Sequence, residues 1–123
     1  MAELARCPNV VVKLGGLGMD IGVFDHMRRP APPTSREIAD AWKPWIETCI
    51  EAFGAGRCMF ESNFPVDKLS TGYAVLWNAF KLMAADASAA EKSALSAVRR
   101  GGSIGCRESR TARLLIAARR RFS

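Results

Sequence analysis

Six residues combine a reactive or binding side chain with a place beside a strand-like run: Lys13, His26, Glu61, Asn63, Asp67 and Lys68. Lys13 interrupts the apolar run Val10 to Leu14, and Glu61 follows Arg57-Cys58-Met59-Phe60. An ammonium and a carboxylate brought together can bind a charged substrate or pass a proton, and equally can form a structural ion pair. Asp67 is a carboxylate able to take up a proton, whereas Asn63 offers only a neutral amide; both residue types also stabilise turns. Lys68 adds a cation beside Asp67. His26 carries an imidazole, a group able to exchange a proton or contact a substrate, and lies in a long stretch, Gly15 to Pro33, that carries four Gly and three Pro and reads as a loop. The cysteines Cys7, Cys49, Cys58 and Cys106 contain no Cys-x-x-Cys pair, and His26 has none close by in sequence, so no complete metal site is expected and the thiols are expected to be free. Gly15-Gly16-Leu17-Gly18 lacks the G-x-G-x-x-G spacing of a phosphate-binding turn.

The elements that must position these residues alternate in type. The β-branched run Val10 to Leu14 predicts a strand ending at Gly15-Gly16. Thr34-Ser35-Arg36-Glu37 fits a capping box, and Ile38, Trp42, Ile46, Cys49, Ile50 and Phe53 recur every three or four residues, so a helix is predicted from Thr34 to Gly54. Pro44 lies inside it and is expected to kink or divide it. A second strand is predicted over Arg57 to Ser62, followed by a sharp turn at Asn63-Phe64-Pro65. Ser70 or Thr71 is expected to cap a helix with the apolar face Tyr73, Leu76, Trp77, Phe80 and Met83, and Ser88-x-x-Glu91 to cap a further short one. The stripes through Trp42, Trp45, Trp77 and Phe80 are read as core.

Strands that alternate with helices imply parallel pairing, an α/β class, and a functional edge at the carboxyl ends of the strands. Alternation within each strand places Val10, Val12 and Leu14 on one face and Lys13 on the other; Cys58, Phe60 and Ser62 oppose Met59, Glu61 and Asn63. The apolar sets should meet the helices. A buried Lys13 on the opposite face would then need a partner, and Glu61 is expected to approach it.

The 123 residues are 49% hydrophobic and 24% charged, the make-up of one globular domain. No apolar run is long enough for a membrane span and no signal-like segment opens the sequence, so a cytoplasmic protein without membrane contact is expected. The net charge of +6 is unevenly placed. Residues 1–96 hold ten Lys or Arg and eleven Asp or Glu, net −1; residues 97–123 hold eight Arg and Glu108, net +7. Such a tail could bind phosphates in a salt-dependent way, but without a nucleic-acid-binding motif no nucleic-acid partner is expected.

The strand Asn9-Val10-Val11-Val12-Lys13-Leu14-Gly15-Gly16, the helix through Trp42-Lys43-Pro44-Trp45, and above all Arg57-Cys58-Met59-Phe60-Glu61-Ser62-Asn63-Phe64-Pro65 resemble the carboxyl-terminal part of the amidohydrolase-related superfamily. The branch resembled is that of TIM-barrel hydrolases that includes pyrone-dicarboxylate lactonase. The resemblance implies that residues 1–95 are the carboxyl-terminal portion of a (β/α)8 TIM barrel, about two βα units, whose strands are the seventh and eighth. It implies a hydrolase in which water attacks a carbonyl of a small carboxylated or cyclic substrate. Asn63, Asp67 and Glu61 are then the candidate catalytic residues, and Lys13, His26 and Lys68 the candidate substrate-binding ones.

The family's acid falls on Asn63, and an amide neither accepts a proton as a general base nor offers an anionic metal ligand. Asp67 is the acid near enough to replace it. Intact relatives use a divalent metal such as zinc or a basic residue to activate water. Their metal-binding histidines come from a His-x-His at the first strand and from middle strands, outside the matched region. A barrel takes about 250 residues and builds its site from several strands, so the 123 residues are expected to lack a complete active site and to show no turnover alone. Two parallel strands with open edges, and a barrel-facing surface containing Val11 and Met59, predict self-association.

Residues 96–123 read as an Arg-rich tail outside the family pattern, which usually closes with Thr-Ala-x-x-Phe-Tyr-Arg-Leu. Permitted GC-rich codons for Leu95 to Cys106, read two bases later, give Leu-Arg-Gly-Thr-Ala-Gly-Arg-Phe-Tyr-Arg-Leu. A frameshift near codon 95 would therefore account for the tail.

Overall fold

The computed structural model describes residues 1–19, 24 and 28–96. His26 and the tail from residue 97 onward lie outside the described residues. A short helix α1 (Ala2–Ala5) leads into strand β1 (Val12–Leu14), helix α2 (Ser35–Phe53), a 3-10 turn (Ala55–Arg57) and strand β2 (Cys58–Phe60). A second 3-10 turn (Val66–Leu69), helix α3 (Tyr73–Met83) and helix α4 (Ala89–Ser96) follow. The strands pair in parallel, with Val12 opposite Cys58, Lys13 opposite Met59 and Leu14 opposite Phe60. A mixed α/β arrangement with a parallel sheet is thus present, and both strands are shorter than the sequence runs suggest. Val10 is drawn into a turn, its N–H donating to the Cys7 carbonyl at 3.2 Å. Arg57 belongs to the 3-10 turn ahead of β2.

The alternation of faces is as expected. Val12, Leu14, Cys58 and Phe60 are buried under the helices, while Lys13 faces away and is exposed. The core centres on Trp42 and Phe80, both fully buried, with Ile38, Leu76, Val12 and Leu14 around them. Phe80 stacks on Phe60 at a centroid distance of 4.6 Å and meets Trp77 edge-on at 5.4 Å. Trp45 departs from the expected core stripe: it is 36% exposed, because the buried stripe of α2 runs through Ile38, Trp42, Ile46, Cys49 and Phe53.

The capping box at the start of α2 is complete. Glu37 N–H donates to Thr34 Oγ1 at 3.3 Å, and Thr34 N–H donates back to Glu37 Oε2 at 2.8 Å. The backbone bond from Thr34, with Arg29 and the Thr34 hydroxyl, holds the Glu37 carboxyl down at about 2. Pro44 does not divide the helix, which runs through to Phe53. The proline is on the exposed side, as is Asp40, whose carbonyl loses its helical donor there; water can serve that carbonyl. The expected cap at Ser70 or Thr71 is also absent, and Gly72 begins α3 instead. Ser70 Oγ is turned back to donate to the Asp67 carbonyl at 3.0 Å, and Thr71 Oγ1 is buried with no partner among the described residues, so neither hydroxyl reaches the first N–H groups of α3.

Arg57 ties the sheet to the helices. Its guanidinium donates to the carbonyls of Phe53 at 2.8 Å, Cys7 at 3.0 Å and Ala5 at 2.9 Å, and lies 5.3 Å from the centre of the Phe53 ring. It therefore places a cation at the carboxyl end of α2, which has no basic residue in its own last turn. Arg57→Ala is expected to lower stability by about 1–2 kcal/mol, since three carbonyls lose a charged donor at a partly exposed site. Urea unfolding tests this, and a loss below about 0.5 kcal/mol would show that water replaces the guanidinium at no cost.

Candidate functional site

The candidate site lies at the carboxyl ends of the two strands. Lys13 Nζ and Glu61 Oε1 form an ion pair at 2.8 Å on the sheet face away from the helices. The approach of these residues is as the strand faces require, but the pair is not buried: the side chains are 44% and 38% exposed. Beyond β2 the ladder continues by one bond, from Glu61 N–H to the Leu14 carbonyl at 3.2 Å. At this point the strands come so close that a Cβ on Gly15 would overlap the Glu61 carbonyl oxygen.

Asn63 then turns the chain with φ 51°, in the left-handed region that Asn tolerates better than most residues. Its carbonyl accepts from the N–H groups of Val66 at 3.0 Å and Asp67 at 3.3 Å, and its side-chain Nδ2 donates to Asp67 Oδ1 at 3.0 Å. Phe64 and Pro65 are joined by a cis peptide bond.

Asp67 is fully buried. Its carbonyl accepts from Ser70 N–H, Thr71 N–H and Ser70 Oγ, while its Oδ2 has no partner among the described residues. Gly18, from the loop after β1, seals this carboxyl. A Cβ there would come 2.5 Å from Ser70 Oγ and 3.4 Å from Asp67 Cγ. Burial raises the Asp67 carboxyl above the usual aspartate range, with the nearby Glu61 charge acting the same way and the Asn63 hydrogen bond opposing both. Sequence reasoning read Asp67 as a loop carboxylate; its burial depends on Gly18 and Ser70, which no local spacing reveals.

The raised carboxyl fixes a sign for pH dependence. The folded chain holds this proton more tightly than the unfolded chain, so the contribution to stability is full below the ordinary aspartate range and is lost as pH rises through the raised value. Asp67→Asn keeps an acceptor for Asn63 and removes the charge. The variant is expected to be more stable than the parent at pH 7, with the difference closing toward pH 4. Urea midpoints at the two pH values decide the matter, and an unchanged difference would exclude a buried, titrating Asp67.

Lys68 is exposed on the 3-10 turn and forms no ion pair with Glu61 or Asp67 among the described residues. The structure therefore brings together Lys13 with Glu61, and Asn63 with Asp67, and leaves Lys68 apart. Cys49 and Cys58 are buried free thiols, pushed up by burial, Cys58 to about 11. They suit packing rather than nucleophilic chemistry. Two cavities open on the helix side of the sheet, one of about 190 Å³ lined by Ile46, Ile50, Met83 and Leu95, the other of about 350 Å³ lined by Trp77, Lys81 and Lys92. Neither contains any of the candidate site residues.

A parallel strand pair covered by helices on one face is an α/β arrangement, in which ligands bind at the carboxyl ends of the strands, where these ionisable residues gather. Residues 1–96 match the family described as Amidohydrolase, and the chain belongs to that family. It is 45% identical over 95 residues to the uncharacterized protein y4mH of Sinorhizobium fredii, an alignment that takes in 77% of this chain and 28% of the relative. In structure it is similar to an amidohydrolase from Burkholderia multivorans, crystallised in one form with bound zinc and in another with bound HEPES. For both, the TM-score is 0.62 and the identity 33%, over 76% of this chain and 31% of that one. The chain thus spans about 30% of the length of these relatives.

The donor set does not fit a metal by itself. One oxygen of Glu61 is paired with Lys13 and one of Asp67 with Asn63, and no three His, Cys, Asp or Glu side chains among the described residues come together to hold an ion. No helix of the described residues is long and apolar enough to cross a membrane.

Proposed function

We propose that the chain supplies the carboxyl-terminal edge of a TIM-barrel hydrolase of the pyrone-dicarboxylate lactonase-like branch, in which water attacks a carbonyl of a small carboxylated or cyclic substrate. The observation that carries this reading is the Lys13–Glu61 pair at 2.8 Å with Asn63 and Asp67 following it at the same strand end. Lys13 keeps two N–H donors beyond the one given to Glu61, enough to hold a substrate carboxylate or an oxygen on which charge develops. Glu61 keeps its second oxygen and, partly exposed, can take a proton from water; Asn63 follows two residues on, in the turn beyond β2. His26 and Lys68 complete the substrate-binding set. The remaining strands of such a barrel, and any metal, would come from outside the described residues, so the 123 residues alone are expected to be inactive. Residues 96–123 are read as a frameshifted ending, which the genomic sequence around codon 95 tests directly.

A second reading rests on the open sheet. Among the described residues each strand has a single neighbour, leaving two unpaired edges and the half-buried Val11 and Met59 on the uncovered side. In this reading the chain is a non-catalytic module that self-associates through those edges.

One set of measurements separates the two. The purified full chain is assayed for lactone, ester and amide hydrolysis with and without zinc, for binding of a pyrone dicarboxylate, and for size by light scattering. The hydrolase-edge reading expects saturable binding at monomer size, weakened about tenfold by Lys13→Ala, without turnover. Self-association with no binding would favour the second reading. Turnover by the monomer would overturn the proposed incompleteness.

A further inference from the structure

Asn63 and Asp67 form a unit whose geometry sets what the site can recognise. A primary amide carries its nitrogen and oxygen at the same end, so committing Nδ2 to Asp67 Oδ1 at 3.0 Å turns Asn63 Oδ1 away from Asp67. No described residue donates to that Oδ1, and Asn63 is only partly buried. Asp67, by contrast, is 0% exposed and cannot touch a substrate where it stands. Its backbone is held by Ser70 and Thr71, and Gly18 packs against its carboxyl group. Its Oδ2 is buried and has no partner among the described residues, an arrangement that costs stability. A side chain kept at that cost, whose other oxygen serves only the Asn63 amide, has a defined use.

We infer that Asp67 is a positioning residue that locks the Asn63 amide with Oδ1 facing away from it, as an uncharged hydrogen-bond acceptor at the carboxyl end of β2. The inference rests on the hydrolase-edge reading for its consequence: at this point the site takes a group that carries an O–H or N–H, such as a water or a substrate hydroxyl, and disfavours a carboxylate oxygen, which Oδ1 can only repel. The substrate carboxylate is thereby directed to Lys13. Among the described residues, the charged groups around the unit are Glu61, which is paired with Lys13, and the exposed Lys68 next in sequence to Asp67.

The test is made on the isotope-labelled full chain by NMR. The Asn63 side-chain NH2 resonances are expected to shift with pH at the same midpoint as the Asp67 carboxyl carbon. An NOE is expected from Nδ2 to the Gly16 α-protons, since Nδ2 lies 3.6 Å from where a Gly16 Cβ would stand. Asp67→Ala should abolish that NOE, and Asp67→Asn, which retains an acceptor, should keep it while abolishing the titration. NH2 resonances that stay flat through the Asp67 titration would overturn the inference, as would an NOE that survives in Asp67→Ala. Should the alanine variant not fold, the parent and Asp67→Asn still decide. Neither readout requires turnover or ligand binding, so failure of the hydrolase reading would leave the NH2 titration intact and remain distinguishable.

Discussion

Phe80→Ala is expected to remove about 3–5 kcal/mol of stability. The ring is fully buried and touches aromatic neighbours from three elements: Trp42 of α2 at 6.3 Å, Phe60 of β2 at 4.6 Å with the planes 15° apart, and Trp77 of α3 itself at 5.4 Å with the planes at 80°. The sheet and the bond from Ser35 Oγ to the Val75 carbonyl at 2.8 Å fix the spacing of these elements, so they close only partly over the space left. The loss therefore combines the transfer term with a cavity term. Against a total that for small domains is about 5–15 kcal/mol, the variant should lose most of its cooperative urea transition and its near-ultraviolet circular dichroism. Tyr73→Ala is the control, because Tyr73 is 54% exposed and meets Phe64 edge-on and Trp77 at a tilt; its cost should be no more than about 1 kcal/mol. A Phe80→Ala loss as small as the Tyr73→Ala loss would show that the aromatic cluster is not packed as described.

What the amino-acid sequence discloses here is what period and spacing encode. Alternation within Val10 to Leu14 and Cys58 to Ser62 is enough to place Lys13 and Glu61 on one face, and parallel pairing then brings them within 2.8 Å. Thr34 with Glu37, and Ser88 with Glu91, announce helix starts because each capping box is complete within four residues. Other features depend on residues far apart in the chain and leave no local mark. Ser70 and Thr71 resemble caps until the 3-10 turn folds both back onto the Asp67 carbonyl, which takes the Ser70 hydroxyl as well as both N–H groups and leaves Gly72 as the N-cap of α3. Pro44 resembles a break until its exposed position on a long helix is known. α1 is too short to show any period. Asp67 is the most consequential of these, since a carboxylate directly after an Asn-Phe-Pro-Val turn reads as solvated, and its burial is made by Gly18 arriving from the other strand's loop.

The closeness of the two strand ends yields the second large effect. Gly15→Ala would set a methyl group against the Glu61 carbonyl oxygen and carbon, backbone atoms that no rotamer change can move. Relief requires the strands to part after Leu14 and Phe60, which breaks the bond from Glu61 N–H to the Leu14 carbonyl and withdraws Glu61 from Lys13. The expected cost is about 3 kcal/mol, the upper end of what overpacking produces, because the clash is between main chains. Under the proposed hydrolase-edge function, in which Lys13 holds a substrate carboxylate, the same variant should also lose binding of the carboxylated probe. Gly56→Ala supplies the comparison: nothing stands within 4 Å of a Cβ there, the residue lies in the 3-10 turn before β2, and its φ is not in the left-handed region. That change should be neutral within about 0.5 kcal/mol. Equal urea midpoints for the two variants would mean that the strands separate freely beyond Leu14, and the site could not then owe its geometry to their contact. A selective loss at Gly15 would instead tie the placement of Lys13, Glu61 and Asn63 to a single close approach of two backbones, which only a residue without a side chain permits.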